Sequence, residues 1–291
     1  MKKKLLATLL TAVFAIGAFA GCGSKAADDT KQQDTQSAAV ATEAVESKGV
    51  ITVAASPTPH AEILREAAKI LATQGWDLQI TEFEDYVQPN EVVYSGQIDC
   101  NYFQHVPYLD SYNEENNEDL VNVAGIHYEP FGIYPGTKSN LSDLTDGDAI
   151  AIPNDTTNEA RALLLLQDNG LLTLKDGVGL TATVNDIAEN PLNLEFVELE
   201  AAQVSRVTDE VAFVVLNGNY ALEAGFSVGK DAVAHELSDS EAAKTYVNII
   251  AAKAGNENNE GIQALVSVLK SDEIKQFIND TYDGAVVPFE D

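Results

Sequence analysis

The sequence is poor in sulfur. Its 291 residues include two cysteines and one methionine, and that methionine is the initiator. Two cysteines close at most one disulfide, so a disulfide framework is excluded. Positive charge is scarce as well. Seventeen Lys and Arg stand against 46 Asp and Glu, a formal charge of −29. So acidic a surface repels nucleic acid and anionic lipid headgroups. Catalytic signatures are also missing. There is no Ser/His/Asp elbow, no Gly-rich phosphate loop and no acidic pair at catalytic spacing. The run of apolar or small residues Leu5–Ala20 falls short of the ~20 residues that span a bilayer.

That run has its own meaning. Lys2, Lys3 and Lys4 precede it, and the small pair Ala20-Gly21 closes it just before Cys22. A positive start, an apolar core and a small-residue end describe a secretory signal over residues 1–21. The junction resembles the lipobox of bacterial lipoproteins, with Phe19 where leucine is more usual. The resemblance implies that Cys22 carries a lipid and becomes the mature N-terminus, which anchors the protein to the outer face of the cell membrane. Residues 22–48 contain no aromatic side chain, and Val40 and Val45 are their only branched apolar residues. Such a segment cannot offset its ordering entropy and reads as a tether, reaching ~25–30 Å. Cys100 is then the only other thiol, and a buried, inert one is the default.

From Gly49 onward the pattern is α/β. Residues 49–56 and 76–83 read as strands around a helix over 58–75. Thr58 is its candidate cap and Gly75 its end. Together they make a βαβ unit. A second such region begins at residues 149–170, where Thr156 and Glu159 suggest a capping box and Gly170 a helix stop. Further strands are predicted over 194–203, 211–216 and 246–255, and one or two amphipathic helices over 260–280. This organisation predicts two lobes, 49–137 plus 246–291 and 138–245, with a ligand cleft between them.

Six segments, PHAEIL, DYVQPN, NYFQHVPYLD, AIPNDTTNEARALLLL, NPLNLEFVELEAAQ and LNGNYALEAG, occur in this order. They resemble the NlpA-type methionine-binding lipoproteins, the substrate-binding subunits of methionine ABC importers. The resemblance covers Gly49 to Phe289. It implies a type II-like periplasmic-binding-protein fold with two crossovers, no catalytic activity, no cofactor, methionine as ligand, and a permease–ATPase complex as partner. D-methionine or a small methionine-containing peptide is the alternative ligand. The chain departs from the family pattern at Cys100, Val106, Thr156 and Ala160.

An amino acid presents a carboxylate, an ammonium and a side chain. Arg161, early in its helix, is the carboxylate candidate, through two parallel hydrogen bonds. Asn158, one turn earlier, is a possible extra donor. The plain alternative is a surface arginine beside Glu159. Asn217 follows a buried strand at its carboxyl end, where α/β sheets place ligands, although Asn217-Gly218-Asn219 also reads as a turn. Asn248 interrupts an apolar strand and needs a partner if buried; an edge-strand position facing outward is its alternative. The resemblance assigns Asn217 and Asn248 to the head group. Tyr86 and Phe103 can line a slot for a thioether, with His105 on the same face as Phe103 if the segment is extended. Tyr108 reads equally as packing, and His105 as a structural histidine. A different class of function uses His60, His105 and His127 as ligands in a metal-importer clamp, though no tight H-x-E-x-x-H spacing supports it.

Overall fold

A computed structural model describes residues 46–237 and 241–290. Cys22 and the predicted signal and tether, up to residue 45, lie outside the described residues. The chain runs β1 (Gly49–Ala55), α1 (Glu62–Thr73), β2 (Trp76–Glu82), α2 (Gln88–Tyr94), β3 (Cys100–His105), α3 (Val106–Asn116) and β4 (Leu120–Tyr128). It continues through β5 (Gly132–Pro135), β6 (Ala149–Pro153), α4 (Thr156–Asp168), a small hairpin of β7 (Thr173–Leu174) and β8 (Ile187–Glu189), β9 (Glu195–Leu199), α5 (Ala201–Val204), β10 (Phe213–Leu216), α6 (Gly218–Glu223), α7 (Val228–Asp231) and β11 (Ala234–His235). It ends with α8 (Glu241–Thr245), β12 (Val247–Lys253), α9 (Glu260–Leu269), α10 (Asp272–Tyr282) and β13 (Val287–Pro288).

Two sheets carry two lobes. The first has the order β13-β4-β12-β3-β1-β2 and the second β11-β5-β10-β6-β9. In the first, β2, β1 and β3 are parallel, which makes β1–α1–β2 a βαβ unit. Strand β12 enters antiparallel between β3 and β4. The apolar stripe of α1, Ile63, Leu64, Ala67 and Leu71, packs with Ile262 and Leu265 of α9 and Ile274 and Ile278 of α10. The second lobe closes around Ile150, Ile152, Leu163, Leu166, Phe213 and Val215. The chain leaves the first sheet after Tyr128 and joins the second at Gly132; it returns between His235 and Val247. The sequence pattern places residues 132–137 in the first lobe. Strand β5 instead pairs with β10 and β11 in the second sheet.

Local signals decide the element ends. Gly75 stops α1 with φ +92°, and a Cβ there would lie 2.2 Å from the Glu46 carbonyl oxygen, so only glycine fits. Thr58 does not cap α1. A π-helical turn, Pro57–Ala61, precedes the helix, and the extended Thr58 donates its hydroxyl to Glu62 at 2.8 Å. The capping box predicted at Thr156 and Glu159 does not form either. Asp155 caps α4 by accepting from the Asn158 N–H at 3.1 Å, while the Glu159 carboxylate accepts from the Val184 N–H. The strand predicted over 194–203 stops at Leu199, because Ala201-Ala202-Gln203 favours helix over strand.

Candidate functional site

The carboxyl ends of β3, β6 and β10 converge on the cleft between the sheets. Strand β3 is buried at every residue, so alternation along it, not surface position, aims Phe103 and His105 to one side. His105 also ends the strand and caps α3. Its Nδ1 accepts the Tyr108 N–H at 3.1 Å, which makes Nε2 the donor to Asn158 Oδ1 in the other lobe, also 3.1 Å. Burial and then the nearby Arg161 charge take its pKa down to about 3, so the ring is neutral. Tyr86 lies 5.7 Å between ring centroids from both Phe103 and Tyr108, and 4.9 Å from Tyr220 of the second lobe. Its hydroxyl donates to Asn219 Oδ1.

One cavity touches Tyr86, Phe103, His105, Asn158, Arg161, Asn217 and Asn248, all seven residues singled out in the sequence. Gln104, Tyr108, Glu129, Gly218 and Asn219 also line it. Asn248 is not on an edge: β12 is flanked by β4 and β3, opposite His127 and His105. Its Oδ1 meets His60 Nε2 at 2.9 Å. Asn158 is fully used by protein. Its Oδ1 accepts from His105 and from Asn217 Nδ2 (2.8 Å), and its Nδ2 donates to the Asp155 carboxylate (2.9 Å). The extra ligand donor predicted from Asn158 is therefore committed to Asp155, and the side chain bridges the lobes instead. Asn217 Oδ1 is buried and has no hydrogen-bond partner among the described residues, and Asn219 Nδ2 is buried without a close partner, with the Glu223 carboxylate as its nearest acceptor.

Arg161 is not a surface residue. Its Nε and Nη2 grip Glu236 at 2.9 and 2.6 Å, and Nη2 also donates to the Glu129 carbonyl oxygen at 3.1 Å. Glu129 lies on the first crossover and Glu236 on the second, so one guanidinium is bonded to both connections between the lobes. Burial opposes both charges, and each restores the other: Arg161 stays fully charged and Glu236 is held below the usual carboxylate range. The Tyr128 hydroxyl and Phe131 N–H add donors to Glu236. The Tyr246 ring lies 4.0 Å from the guanidinium carbon. The side-on fork predicted to hold a ligand carboxylate is thus occupied by Glu236, and Nη1 is the nitrogen left without a hydrogen bond among the described residues.

The three histidines of the metal alternative do not come together. His60 and His127 do, with Glu129; all three are buried, with ligand atoms within 4.8 Å of one another. His105 instead bonds Asn158.

The sequence reading missed Glu129, Asn219, Glu236 and Tyr246. Asn219 belongs to the same Asn-Gly-Asn stretch as Asn217, where the turn reading hid it. Glu129 is a lone carboxylate between apolar residues and Pro130, a usable signal. Glu236 carries none.

Two α/β lobes, joined by two crossovers and closed over a polar and aromatic cavity, define a periplasmic-binding-protein fold, the architecture of solute-binding proteins. The chain belongs to the NlpA lipoprotein family, whose model matches residues 51–290. The methionine-binding lipoprotein MetQ of Bacillus subtilis is 39% identical over 292 residues, 99% of each chain. The crystal structure of a lipoprotein from Ruminococcus gnavus is 72% identical and superposes with a TM-score of 0.82, over 83% of this chain and 99% of that one. A nutrient-binding protein from Burkholderia cenocepacia, solved bound to methionine, is 40% identical with a TM-score of 0.78, over 82% of this chain and 100% of its own.

Proposed function

We propose that this protein is a lipid-anchored, extracytoplasmic solute-binding lipoprotein that captures methionine and delivers it to the permease and ATPase of an ABC importer. The observation that carries this reading is the pairing, within one closed cavity, of a charged head-group face with an aromatic slot. Arg161 Nη1 and Asn219 Nδ2 offer donors to a carboxylate, and Asn217 Oδ1 offers an acceptor to an ammonium. Leaving such buried amide atoms unsatisfied costs about 1–3 kcal/mol each, so a zwitterion that meets them is favoured. Tyr86, Phe103 and Tyr108 suit an unbranched thioether, each sulfur–aromatic contact contributing about 0.3–1.5 kcal/mol. Methionine binding by the Burkholderia relative supports the same ligand here. We read the role as binding and not catalysis: around Arg161, whose charge Glu236 pairs, the cavity presents amides, rings and the single carboxyl group of Glu129. D-methionine or a small methionine-containing peptide is the second reading, favoured by the name of the Escherichia coli relative, a D-methionine-binding lipoprotein 41% identical over 229 residues.

The membrane link is a lipid on Cys22, with residues 22–48 as tether; no described helix is long and apolar enough to cross a membrane. Cys22→Ala expressed in a bacterium leaves the protein soluble; a variant that still fractionates with membranes refutes the anchor. Calorimetry of the domain from Gly49 tests the ligand. Methionine binds 1:1, and leucine and glutamate give no comparable heat, because a slot shaped for an unbranched chain excludes the leucine branch. Equal binding of leucine overturns the methionine assignment.

A further inference from the structure

Glu129 is a buried carboxylate on the cavity wall to which the head-group reading gives no role. Its Oε1 lies 2.7 Å from His127 Nε2 and 3.4 Å from His60 Nε2. The Tyr102 hydroxyl occupies His127 Nδ1, so His127 Nε2 is the donor toward Glu129. On the other side, α6 begins directly against the carboxylate: a Cβ on Gly218 would come 2.8 Å from Oε2. The absence of a side chain there lets the Asn219 N–H reach Glu129. The carboxylate is thus fixed from both lobes.

Everything that fixes it is neutral. Burial takes His60 down to about 4 and His127 to about 3. The one nearby guanidinium, Arg161, bonds the Glu129 carbonyl oxygen and pairs its charge with Glu236. Among the described residues no Lys or Arg pairs with the Glu129 carboxylate. A rigidly held carboxylate therefore faces the cavity without a cation, on the same cavity as Arg161. Burial raises the Glu129 carboxyl pKa, so the ionised form is favoured once a cation arrives, and the spacing of this group and Arg161 on one cavity suits the two charges of an α-amino acid.

A metal ion fits less well. An ion about 2.0–2.1 Å from each ligand atom pushes those atoms apart to about 3.3 Å, whereas His127 Nε2 and Glu129 Oε1 are in direct hydrogen-bond contact. His60 Nδ1 also lacks the outer partner that orients a metal-bound imidazole.

We propose that Glu129, positioned by His127 and the Asn219 N–H, receives the α-ammonium group of the ligand, so that the pocket selects amino acids with a free, charged amine. The proposal rests on the reading of the cleft as an α-amino-acid site.

The test compares methionine with its desamino analogue, 4-(methylthio)butanoate, and with N-acetylmethionine, by calorimetry on the wild type and on Glu129→Gln. The wild type prefers methionine over both analogues by roughly 10- to 100-fold, the range of one charge-assisted hydrogen bond. In Glu129→Gln the affinity for methionine falls by about that factor and the affinity for the desamino analogue stays within about threefold. A wild type that binds the desamino analogue as tightly as methionine overturns the proposal, and this arm needs no variant to fold. Equal losses for both ligands in Glu129→Gln also overturn it, because they mark a structural role. Zinc binding abolished by Glu129→Gln, with methionine unaffected, assigns the cluster to a metal instead. A wild type that binds no amino acid refutes the underlying reading of the cleft, a separate outcome. For the positioning role, the readout is the ratio of methionine to analogue affinity. That ratio falls in His127→Leu and recovers in His127→Gln, whose amide restores a donor.

Discussion

The two lobes bring unlike faces to the cleft. The first offers mainly rings, Tyr86, Phe103, His105 and Tyr108, with the amides of Gln104 and Asn248 behind them; the second offers amides and a guanidinium, Asn158, Arg161, Asn217 and Asn219. The division has a structural cause. Phe103, His105 and Tyr108 come from a fully buried strand and the helix it feeds, and Tyr86 from the bend before α2. The second-lobe residues sit at the starts of α4 and α6, where backbone N–H groups and polar caps already concentrate. One lobe is therefore suited to choosing a side chain and the other to holding what all amino acids share. If that is right, substitutions in the second lobe weaken every ligand alike, and substitutions in the first change which ligand wins.

Arg161→Ala is the severest test. Truncating one member of a desolvated charge pair typically costs 2–5 kcal/mol, so dissociation constants rise by roughly thirty- to several-thousandfold, equally for methionine, leucine and glutamate. The structure adds a second consequence. Removal of Arg161 also strands the Glu236 carboxylate and unties both crossovers, so the melting temperature falls too. Arg161→Ala combined with Glu236→Gln separates the two effects: stability recovers and affinity does not. Recovery of affinity in the double variant would place the ligand carboxylate elsewhere.

Phe103→Ala comes next. It removes a ring that is 2% exposed and leaves no charge unpaired. Methionine weakens by about 1–2 kcal/mol, less than in Arg161→Ala, and the preference for methionine over leucine narrows. A panel of dissociation constants for four amino acids distinguishes this from the uniform loss expected in the second lobe.

A third test uses pH. Burial keeps His60, His105 and His127 neutral, with pKa values down to about 4, 3 and 3. The unfolded chain binds protons at these residues below about 6.5, and the fold does not. Their contribution is therefore present above pH 6.5 and is lost as pH falls from there toward the folded values. Glu236, held low by Arg161, adds to the loss at the acid end, while Glu129 and Asp155, raised by burial, oppose it. The melting temperature declines from pH 7 to pH 4.5, and His127→Gln flattens the slope. A flat profile in the wild type would mean that the imidazoles protonate inside the fold.

These tests also mark where the sequence stopped being readable. Gly75 and Gly170 were legible as helix ends because their signal is local: a positive φ that only glycine adopts cheaply. His105 was legible as an anomaly, a polar ring in an apolar stretch. Its two bonds were not, since one depends on α3 starting at the next residue and the other on a residue 53 positions away. The Arg161–Glu236 pair spans 75 positions, and nothing near Glu236 distinguishes it from the many other acids of this chain. The capping box at Thr156 failed for a nearer reason: Asp155, one residue earlier, is the better-placed acceptor, and it frees the Thr156 hydroxyl to point across the cleft.

That hydroxyl supplies the smallest predicted effect. Thr156 Oγ1 donates to Glu115 Oε1 at 2.8 Å, joining α4 of the second lobe to α3 of the first. The bond is exposed, so water competes for both partners and its net value lies at the low end of the usual 0.5–1.5 kcal/mol. It touches neither the ring slot nor the head-group amides. Thr156→Ala therefore leaves ligand preference and the internal packing of each lobe unchanged. What it weakens is the closed arrangement of the two lobes, which every ligand needs equally. Dissociation constants for methionine and for weaker amino acids rise together by about two- to fivefold, and Glu115→Gln, whose amide oxygen still accepts, stays nearer the parent. A change in the methionine-to-leucine ratio in Thr156→Ala would show that α4 reaches the slot after all, and the division of labour between the lobes would fail.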